Sequence, residues 1–257
     1  MSVFERYGFT EKEISHFILG NALSDIQEKV VLAPCWLPET VGVSDKEQIS
    51  TEPVKVWNCK VRNRRFTFIV TGVGAGICSD VVLSLKATTC RDILFIGSAG
   101  ALSENMKIGD IFLPKSILCG DGLCRYLQEN IVEDVFGKEI FLNMSFQNRI
   151  CAIAEDICVR QGIACHVGKS ISVETIYSQY KHIDTFLKMG CECLEMESAA
   201  VVMSAQMIGR SCAAVFCISD NSISGQSLIN VPEELIKYRK RVRRKIIQEL
   251  LNAYVNM

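Results

Sequence analysis

Residues 193–200 read CLEMESAA, and residues 213–222 read AAVFCISDNS. The first segment places Glu195 and Glu197 on either side of Met196, at a predicted junction between a strand and a helix. In the second segment Asp220 directly follows a wholly apolar strand. Burying carboxylates beside so much hydrocarbon is costly unless each has a partner or a task. The two segments therefore predict an α/β fold with a buried site that uses acidic side chains.

Outside these segments, short apolar runs alternate with helical patterns. Further strands are predicted at Val30–Ala33, Val54–Val61, Phe66–Thr71, Ile93–Ile96 and Asp110–Leu113. Helices are predicted near Cys78–Thr89 and over Gln147–Gln161, Tyr180–Met189, Glu197–Ile208 and Glu233–Tyr254. This alternation indicates a mostly parallel sheet covered by helices on both faces.

The chain has 257 residues and shows no linker, repeat or low-complexity tract. We therefore predict one domain over residues 1–257, with a helical extension over about residues 1–28. Thr10 and Glu13 have the spacing of a capping box, and Ile14, Phe17 and Ile18 follow at helical spacing.

Composition excludes several classes of protein. The formal charge of −1 and the 49% share of hydrophobic residues favour neither nucleic acid nor a membrane surface as partner. Thirteen cysteines occur without a C-x-x-C pair and with only three histidines, so we expect no metal site and no cofactor. The start of the chain lacks a signal-peptide pattern, and no apolar run reaches the roughly 20 residues needed to span a bilayer. We expect a cytoplasmic protein whose cysteines are small buried side chains.

Two other features have plain structural explanations. The run Gly72-Val73-Gly74-Ala75-Gly76 is not a dinucleotide fingerprint, because Ile77 occupies the last glycine position, and it favours close packing over contact with an anion. The basic run over residues 237–245 alternates with apolar residues at helical spacing, which favours a solvated face of an amphipathic helix over nucleic-acid binding.

Three groups of residues together resemble the nucleoside phosphorylase and nucleosidase superfamily. Residues 96–102 read IGSAGAL and are followed by IGDI at 108–111, residues 172–177 read SVETIY, and the two opening segments complete the set. They fall in the order and spacing of that family over about residues 66–225. The resemblance implies a three-layer α/β/α domain with a distorted mixed central sheet. It also implies a homo-oligomer (a dimer, trimer or hexamer) that binds a nucleoside.

The resemblance also assigns roles by position. Asp220 and Glu197 would be catalytic, with Asp220 facing N7 of a purine and Glu197 holding the ribose hydroxyls. Met196 would lie beneath the sugar, Glu195 beside its 2′ position, and Ser98 would contact phosphate or water. The remaining substrate-binding candidates are Ala99, Gly100, Ile176, Tyr177, Ser219, Arg125 and Glu39.

The implied chemistry is cleavage of the N-glycosidic bond. That reaction passes through a cation-like sugar, so an enzyme gains by stabilising this charge and by protonating the departing base. Desolvation after the apolar strand should raise the pKa of Asp220, which suits a general acid. An aromatic residue commonly stacks on the base where this chain has Ile176, which indicates a reshaped base pocket.

The nucleophile is left open by two departures from the family. Phosphorolytic members carry an arginine where this chain has Phe95, and residues 33–39 replace their Gly-Asp-Pro-x-Arg loop. These departures favour hydrolysis, with Glu39 as the acid near the end of the first loop. One alternative is a phosphorylase with a relocated phosphate site, its charge supplied by Arg62, Arg64, Arg65 or Arg125. Another is a non-catalytic nucleoside-binding or storage protein.

Overall fold

A ten-stranded mixed sheet is the centre of the computed structural model, which describes residues 3–257. The strands are β1 Lys29–Ala33, β2 Lys46–Ser50, β3 Lys55–Val61, β4 Arg64–Val70, β5 Asp92–Ala101, β6 Ile111–Gly120, β7 Glu139–Phe141, β8 Cys165–Val173, β9 Cys193–Glu195 and β10 Ser211–Asn221. The helices are α1 Glu11–Leu19, α2 Ala75–Ser84, α3 Met144–Gln161, α4 Ile176–Gln179, α5 Ile183–Lys188, α6 Ser198–Met207 and α7 Glu233–Asn256.

On one side of β1 the sheet closes on itself. The order is β10-β6-β8-β9-β5-β1-β4-β3-β2, and β10 also pairs with β5. Strands β5, β10, β6, β8 and β9 therefore form a closed ring. Within it, β5 runs parallel to β10 and antiparallel to β9. The predicted distorted mixed sheet is confirmed, whereas a mostly parallel sheet is wrong because antiparallel pairs are about as frequent as parallel ones.

Helices cover both faces, which confirms the three-layer prediction. Alternation along β5 sends Ile93 and Phe95 to one core cluster and Leu94 and Ile96 to the other. The first cluster includes residues of α1, α2 and α6, and we call it the α2 side. The second includes residues of α3 and α7, and we call it the α7 side. Each buried Phe, Ile or Leu in these clusters contributes roughly 1.5–3 kcal/mol.

The predicted capping box at the start of α1 forms. The backbone N–H of Thr10 donates to Oε2 of Glu13 at 2.7 Å, and the N–H of Glu13 donates to Oγ1 of Thr10 at 3.2 Å. Met1 and Ser2, the first residues of the predicted helical extension, lie outside the described residues. The single-domain assignment stays a prediction.

Several element bounds differ from those predicted. Strand β5 continues from Ile96 to Ala101, and β8 has no counterpart among the predicted strands. Strand β8 lacks an apolar run because it carries polar residues such as Ser170 and Ser172, which are nonetheless fully buried. The predicted helix over residues 180–189 is shorter, since α5 spans only Ile183–Lys188.

No helix within residues 3–257 has the length and apolar character to cross a bilayer. The cysteines are all unpaired and most are buried, in agreement with their interpretation as small apolar side chains.

Candidate functional site

A cavity of about 160 Å³ opens at the carboxyl ends of β1, β5 and β10 and at the start of α6. Its lining residues are Pro34, Cys35, Val73, Ser98, Gly100, Ile176, Gln179, Leu194, Glu195, Met196, Glu197, Ser219, Asp220 and Leu228. Glu197 and Asp220 come from different elements and both face this cavity. Residues 193–200 and 213–222 therefore lie close together in the folded chain.

Glu195 fixes the junction between β9 and α6. Its Oε2 accepts hydrogen bonds from the backbone N–H groups of Glu197 at 2.8 Å and Ser198 at 2.6 Å, which belong to the first turn of α6. Its Oε1 accepts from the hydroxyl of Ser172 on β8. Burial raises the pKa of Glu195, while these donors favour its charged form. Both carboxylate oxygens are occupied, so Glu195 serves chiefly to orient its neighbours.

Glu197 is held by the glycine-rich turn before α2. The N–H of Gly74 donates to Oε1 of Glu197 at 2.8 Å. Gly74 adopts φ +124°, a conformation open to glycine and strained for other residues. Burial, together with the neighbouring charge of Glu195, raises the pKa of Glu197 to about 8. The anion at this helix start is thus a side chain of the protein itself, and the turn orients Glu197.

Asp220 lies at the end of β10 in a close-packed corner. The hydroxyl of Ser219 lies 2.6 Å from its Oδ1, and the carbonyl of Ser219 accepts from Nη1 of Arg239 at 2.9 Å. Burial raises the pKa of Asp220 as predicted, although Ser219 and the charge of Arg239 oppose the shift. A methyl group at Gly100 would lie 3.1 Å from Oδ2 of Asp220. Because Gly100 has no side chain, this position of β5 leaves room for the carboxyl group of Asp220.

The structure brings together eight of the residues predicted for the site. They are Ser98, Gly100, Ile176, Glu195, Met196, Glu197, Ser219 and Asp220.

The other four predicted residues do not line the cavity. Ala99 is buried in the α2-side core, and Tyr177, the residue after Ile176, is 89% exposed. Arg125 pairs with Asp134 at 3.2 Å on the surface. Glu39 forms a surface ion pair with Lys46 and does not line the cavity.

Six lining residues are not among the predicted ones: Pro34, Cys35, Val73, Gln179, Leu194 and Leu228. Gln179 is 5% exposed, and its buried Oε1 has no hydrogen-bond partner among the described residues. It follows Ile176 by three positions on α4. Helical spacing from Ile176 is therefore the signal in the sequence that could have identified it. Cys35 is the second residue after β1, and nothing in its residue type indicated a site.

The arginines proposed to replace a lost phosphate contact lie elsewhere. Arg64 and Arg65 begin β4 and line a cleft with Lys29 and Arg91, at the ends of the strands opposite the cavity. A seven-residue strand spans roughly 20 Å, so these groups are out of reach. The basic run forms α7, which buries apolar residues such as Ile246 and Leu250, as the predicted amphipathic helix requires.

Metal ligands do not cluster in the described part of the chain. No group of three His, Cys, Asp or Glu side chains there is placed to hold an ion.

Comparison with protein families gives one match that covers most of the chain. The model described as Phosphorylase superfamily matches residues 42–255. Among curated proteins, the purine nucleoside phosphorylase DeoD-type 1 of Vibrio cholerae is 27% identical over 180 residues, which are 65% of this chain and 71% of that protein. The purine nucleoside phosphorylase DeoD-type of Geobacillus kaustophilus is 22% identical over 166 residues, 64% of this chain and 66% of that protein. The chain thus spans about two thirds of the length of these relatives.

Solved structures share the fold at low sequence identity. Uridine phosphorylase from Vibrio fischeri superposes with a TM-score of 0.75 at 16% identity, over 90% of this chain and 93% of that one. Purine nucleoside phosphorylase from Toxoplasma gondii in complex with immucillin-H gives 0.72 at 16%, over 91% and 94%. Helicobacter pylori MTAN gives 0.67 at 18%, over 88% and 100%.

Proposed function

The chain belongs to the phosphorylase superfamily, and on that premise we propose that it cleaves the N-glycosidic bond of a purine-type nucleoside in nucleoside catabolism or salvage. The observation that carries the proposal is the meeting of Asp220 and Glu197 in one cavity, with Met196 beside them. The choice of a purine is supported by the two relatives named above, which are both purine nucleoside phosphorylases.

Glu197 and Met196 bind the sugar in this proposal. The carboxyl group of Glu197 keeps one oxygen on Gly74 and has its second oxygen for the ribose hydroxyls. Met196 supplies an apolar surface beneath the ring. Ribose held in this way presents its C1′ carbon to the nucleophile in a fixed orientation, which lowers the entropic part of the barrier.

Asp220 protonates the departing base. Its raised pKa keeps the carboxyl protonated to higher pH than a free aspartic acid. Transfer of that proton neutralises the base as the bond to C1′ breaks, and such general acid catalysis is worth roughly 10²–10⁴-fold.

Gln179 recognises the edge of the base. Its free Oε1 accepts from a donor on the ring, while Val73, Ile176 and Leu228 provide apolar contacts to the ring faces. An aliphatic Ile176 contacts the base less extensively than an aromatic ring would, so hydrogen bonding carries a larger share of base selection.

The nucleophile is water or phosphate. Phe95 in place of an arginine favours water, because it removes a cationic group from the subsite.

The protein acts as a homo-oligomer in the cytoplasm in this proposal. Tyr126, 70% exposed, and Tyr177, 89% exposed, lie on segments joined by the hydrogen bond from the N–H of Gly122 to Oε1 of Glu174 at 2.9 Å. Exposed aromatic residues beside a site are typical of surfaces that a partner covers.

A nucleoside mixture incubated with the protein, with and without phosphate, tests the proposal by assay of free base. We expect base release that falls roughly 10²–10⁴-fold in Asp220→Asn and also falls in Glu197→Gln. The exposed Asp184→Asn on α5 is the matched control and should match wild type. Release should decline as pH rises, because Asp220 then loses the proton it donates. Unchanged release in both variants would refute the mechanism, and no release from any nucleoside would favour a binding or storage protein.

A further inference from the structure

Cys158 and Cys165 bring two thiols together on the α7 side of the sheet. Cys158 lies near the end of α3, and Cys165 is the first residue of β8. Between them the helix ends at Gly162, which is left-handed, and the N–H of Ile163 donates to the carbonyl of Cys158 at 3.0 Å. This turn folds the chain back, so that Cys165 packs against the core cluster that contains Cys158.

The two sulfurs are joined by a hydrogen bond. The thiol of Cys165 donates to the sulfur of Cys158, which favours the thiolate and lowers the pKa of Cys158. The same bond, together with burial, raises the pKa of Cys165. The charges of Asp110 and Glu155 oppose ionisation of Cys158, and that of Cys151 opposes ionisation of Cys165. The pair therefore loses one proton more readily than an isolated buried thiol does, and it keeps the other.

Access from solvent differs between the two thiols. Cys158 is fully buried, whereas Cys165 is partly exposed. The turn that joins them lies at the surface, where Val159 and Ala164 are exposed. A small reagent therefore reaches the sulfur of Cys165 first and finds the sulfur of Cys158 in contact with it. Such a pair consists of a reacting thiol and a resolving thiol.

A second pair of thiols in contact lacks this access. Cys119 near the end of β6 and Cys124 in the turn after it are also joined by a hydrogen bond. Both are fully buried, so a reagent in solution has no path to either sulfur. We expect this pair to stay reduced under conditions in which Cys165 reacts, which makes it a reference within the same chain.

We infer that Cys158 and Cys165 form a reversible modification site, at which a low-molecular-weight disulfide oxidises the two thiols to a bond between α3 and β8. The structure describes the reduced form, in which both cysteines are unpaired. A disulfide requires sulfurs that can bond without movement of the backbone, and the hydrogen bond between the thiols places them within such reach. The inference does not depend on nucleoside cleavage.

The chemistry is thiol–disulfide exchange in two steps. The sulfur of Cys165, ionised by passing its proton to Cys158, attacks one sulfur of the reagent. The S–S bond of the reagent breaks, and its electron pair leaves with the other half as a thiolate, which takes the proton from Cys158. The sulfur of Cys158 then attacks the mixed disulfide on Cys165 and expels the second half. Two protein thiols are oxidised, and one disulfide is reduced to two thiols.

Peptide mapping after incubation with oxidised glutathione tests the site. Trypsin cleaves after Arg149, Arg160 and Lys169, so that peptide 150–160 carries Cys158 and peptide 161–169 carries Cys165. Free thiols are blocked before digestion, and we expect the two peptides to be linked by a disulfide that dithiothreitol removes. Absence of this linkage from wild type at excess reagent overturns the inference.

Three variants identify the partners and the order of reaction. Peptide 150–160 also contains Cys151, so Cys151→Ser is the matched control and should form the linkage as wild type does. Cys158→Ser should lose the linkage and keep glutathione on Cys165, because the resolving thiol is gone. Cys165→Ser should leave Cys158 reduced, because that thiol is buried. A linkage that survives in Cys158→Ser, or glutathione on Cys158 in Cys165→Ser, overturns the proposed pair.

Thermal unfolding gives a second readout of the cross-link. Oxidised wild type should unfold at a temperature roughly 2–8 °C above that of the reduced protein, because the bond restricts the unfolded chain. Cys151→Ser should show the same shift on oxidation, and Cys158→Ser should show none. An equal shift in Cys158→Ser overturns the cross-link as its cause, since glutathione on other thiols, such as the exposed Cys35, would then account for it.

Discussion

Glu195 and Glu197 are separated by one residue but have different environments. Glu195 has both oxygens filled by donors of the α6 start and of Ser172, whereas Glu197 receives one hydrogen bond from Gly74. The pattern of two acids around a methionine was visible in the sequence. Which of the two acids remained available for a ligand was not, because that depends on amides and a hydroxyl from β8 and from the turn before α2.

Glu197→Gln should change how stability depends on pH. The pKa of Glu197 is about 8 in the folded protein and near 4.5 when unfolded, so the unfolded chain releases its proton first as pH rises. Wild-type stability therefore falls between about pH 4.5 and 8, and Gln removes this loss while its Oε1 still accepts from Gly74. Urea denaturation at pH 5 and pH 8.5 should show the variant gaining stability relative to wild type only at the higher pH. Equal gains at both values would contradict the raised pKa.

Gly100→Ala should impair catalysis more than folding. The added methyl would lie 3.1 Å from Oδ2 of Asp220 and 3.3 Å from Leu194, so the acid must move. A displacement of about 1 Å can cost roughly 10²-fold in rate. Gly97→Ala on the same strand is the control, because its methyl meets the Phe216 ring at an ordinary 3.5 Å. Measurement of kcat/KM for base release checks the pair, and equal losses in both variants would contradict the role of Gly100.

Gln179→Leu should separate binding from stability. Replacing a buried acceptor that lacks a partner removes a desolvation cost, so the midpoint of thermal unfolding should stay unchanged or rise. The KM for nucleoside should increase because the contact with the base edge is lost. A variant with normal KM and lowered thermal midpoint would assign Gln179 to the fold alone.

At the scale of elements, α2 and α6 begin at the same corner of the cavity. Gly74 precedes α2 and Glu197 precedes α6, and the hydrogen bond between them joins the two starts. Both helices were predictable from apolar spacing. The contact between the starts of the two helices was not predictable. The glycine run indicated only a turn, and a single sequence carries no signal for which side chain accepts the hydrogen bond from the N–H of Gly74.

Gly74→Ala tests this joint. The φ of +124° is strained for alanine and should cost about 1–3 kcal/mol of unfolding free energy, with activity reduced because Glu197 loses its anchor. Gly76→Ala, inside α2 with open space around its added methyl, should be neutral or stabilising by about 0.5–1 kcal/mol. Denaturation and base-release assays on the two variants check the difference, and comparable effects would contradict it.

At the scale of the whole molecule, the motifs located the cavity and the α/β pattern gave the layers. Strand β8 was not predicted because polar residues interrupt its apolar pattern, although it is one of the five strands of the closed ring. The half-buried Arg239 and Arg243 of α7 were not singled out from the sequence for a different reason. Their burial depends on which face of α7 packs against the sheet. The sequence of a basic run is the same whether two of its residues face the core or all of them face solvent.

Oligomer formation is the prediction at this scale. Tyr177→Glu should reduce the molar mass measured by sedimentation at a given concentration, because the exposed ring would lie in the contact between copies. Val159→Glu, an exposed apolar residue on α3, is the control. A wild-type protein that sediments as a monomer at all concentrations would refute the oligomer.

The closed ring of strands has a consequence for how substrate enters. Gly100 on β5 is the register partner of both Leu194 on β9 and Asp220 on β10, so β9, which ends at Glu195, and β10, which carries Asp220, share β5 as a hydrogen-bonded neighbour. Glu195 and Asp220 cannot separate without rupture of that ladder, so we expect their spacing to change little when a ligand binds. Entry and exit must then depend on the loops at residues 34–42 and 222–232, which contribute Cys35 and Leu228. We therefore expect turnover to depend on how fast those loops move apart, while the closed ring of strands fixes the spacing of Glu195 and Asp220.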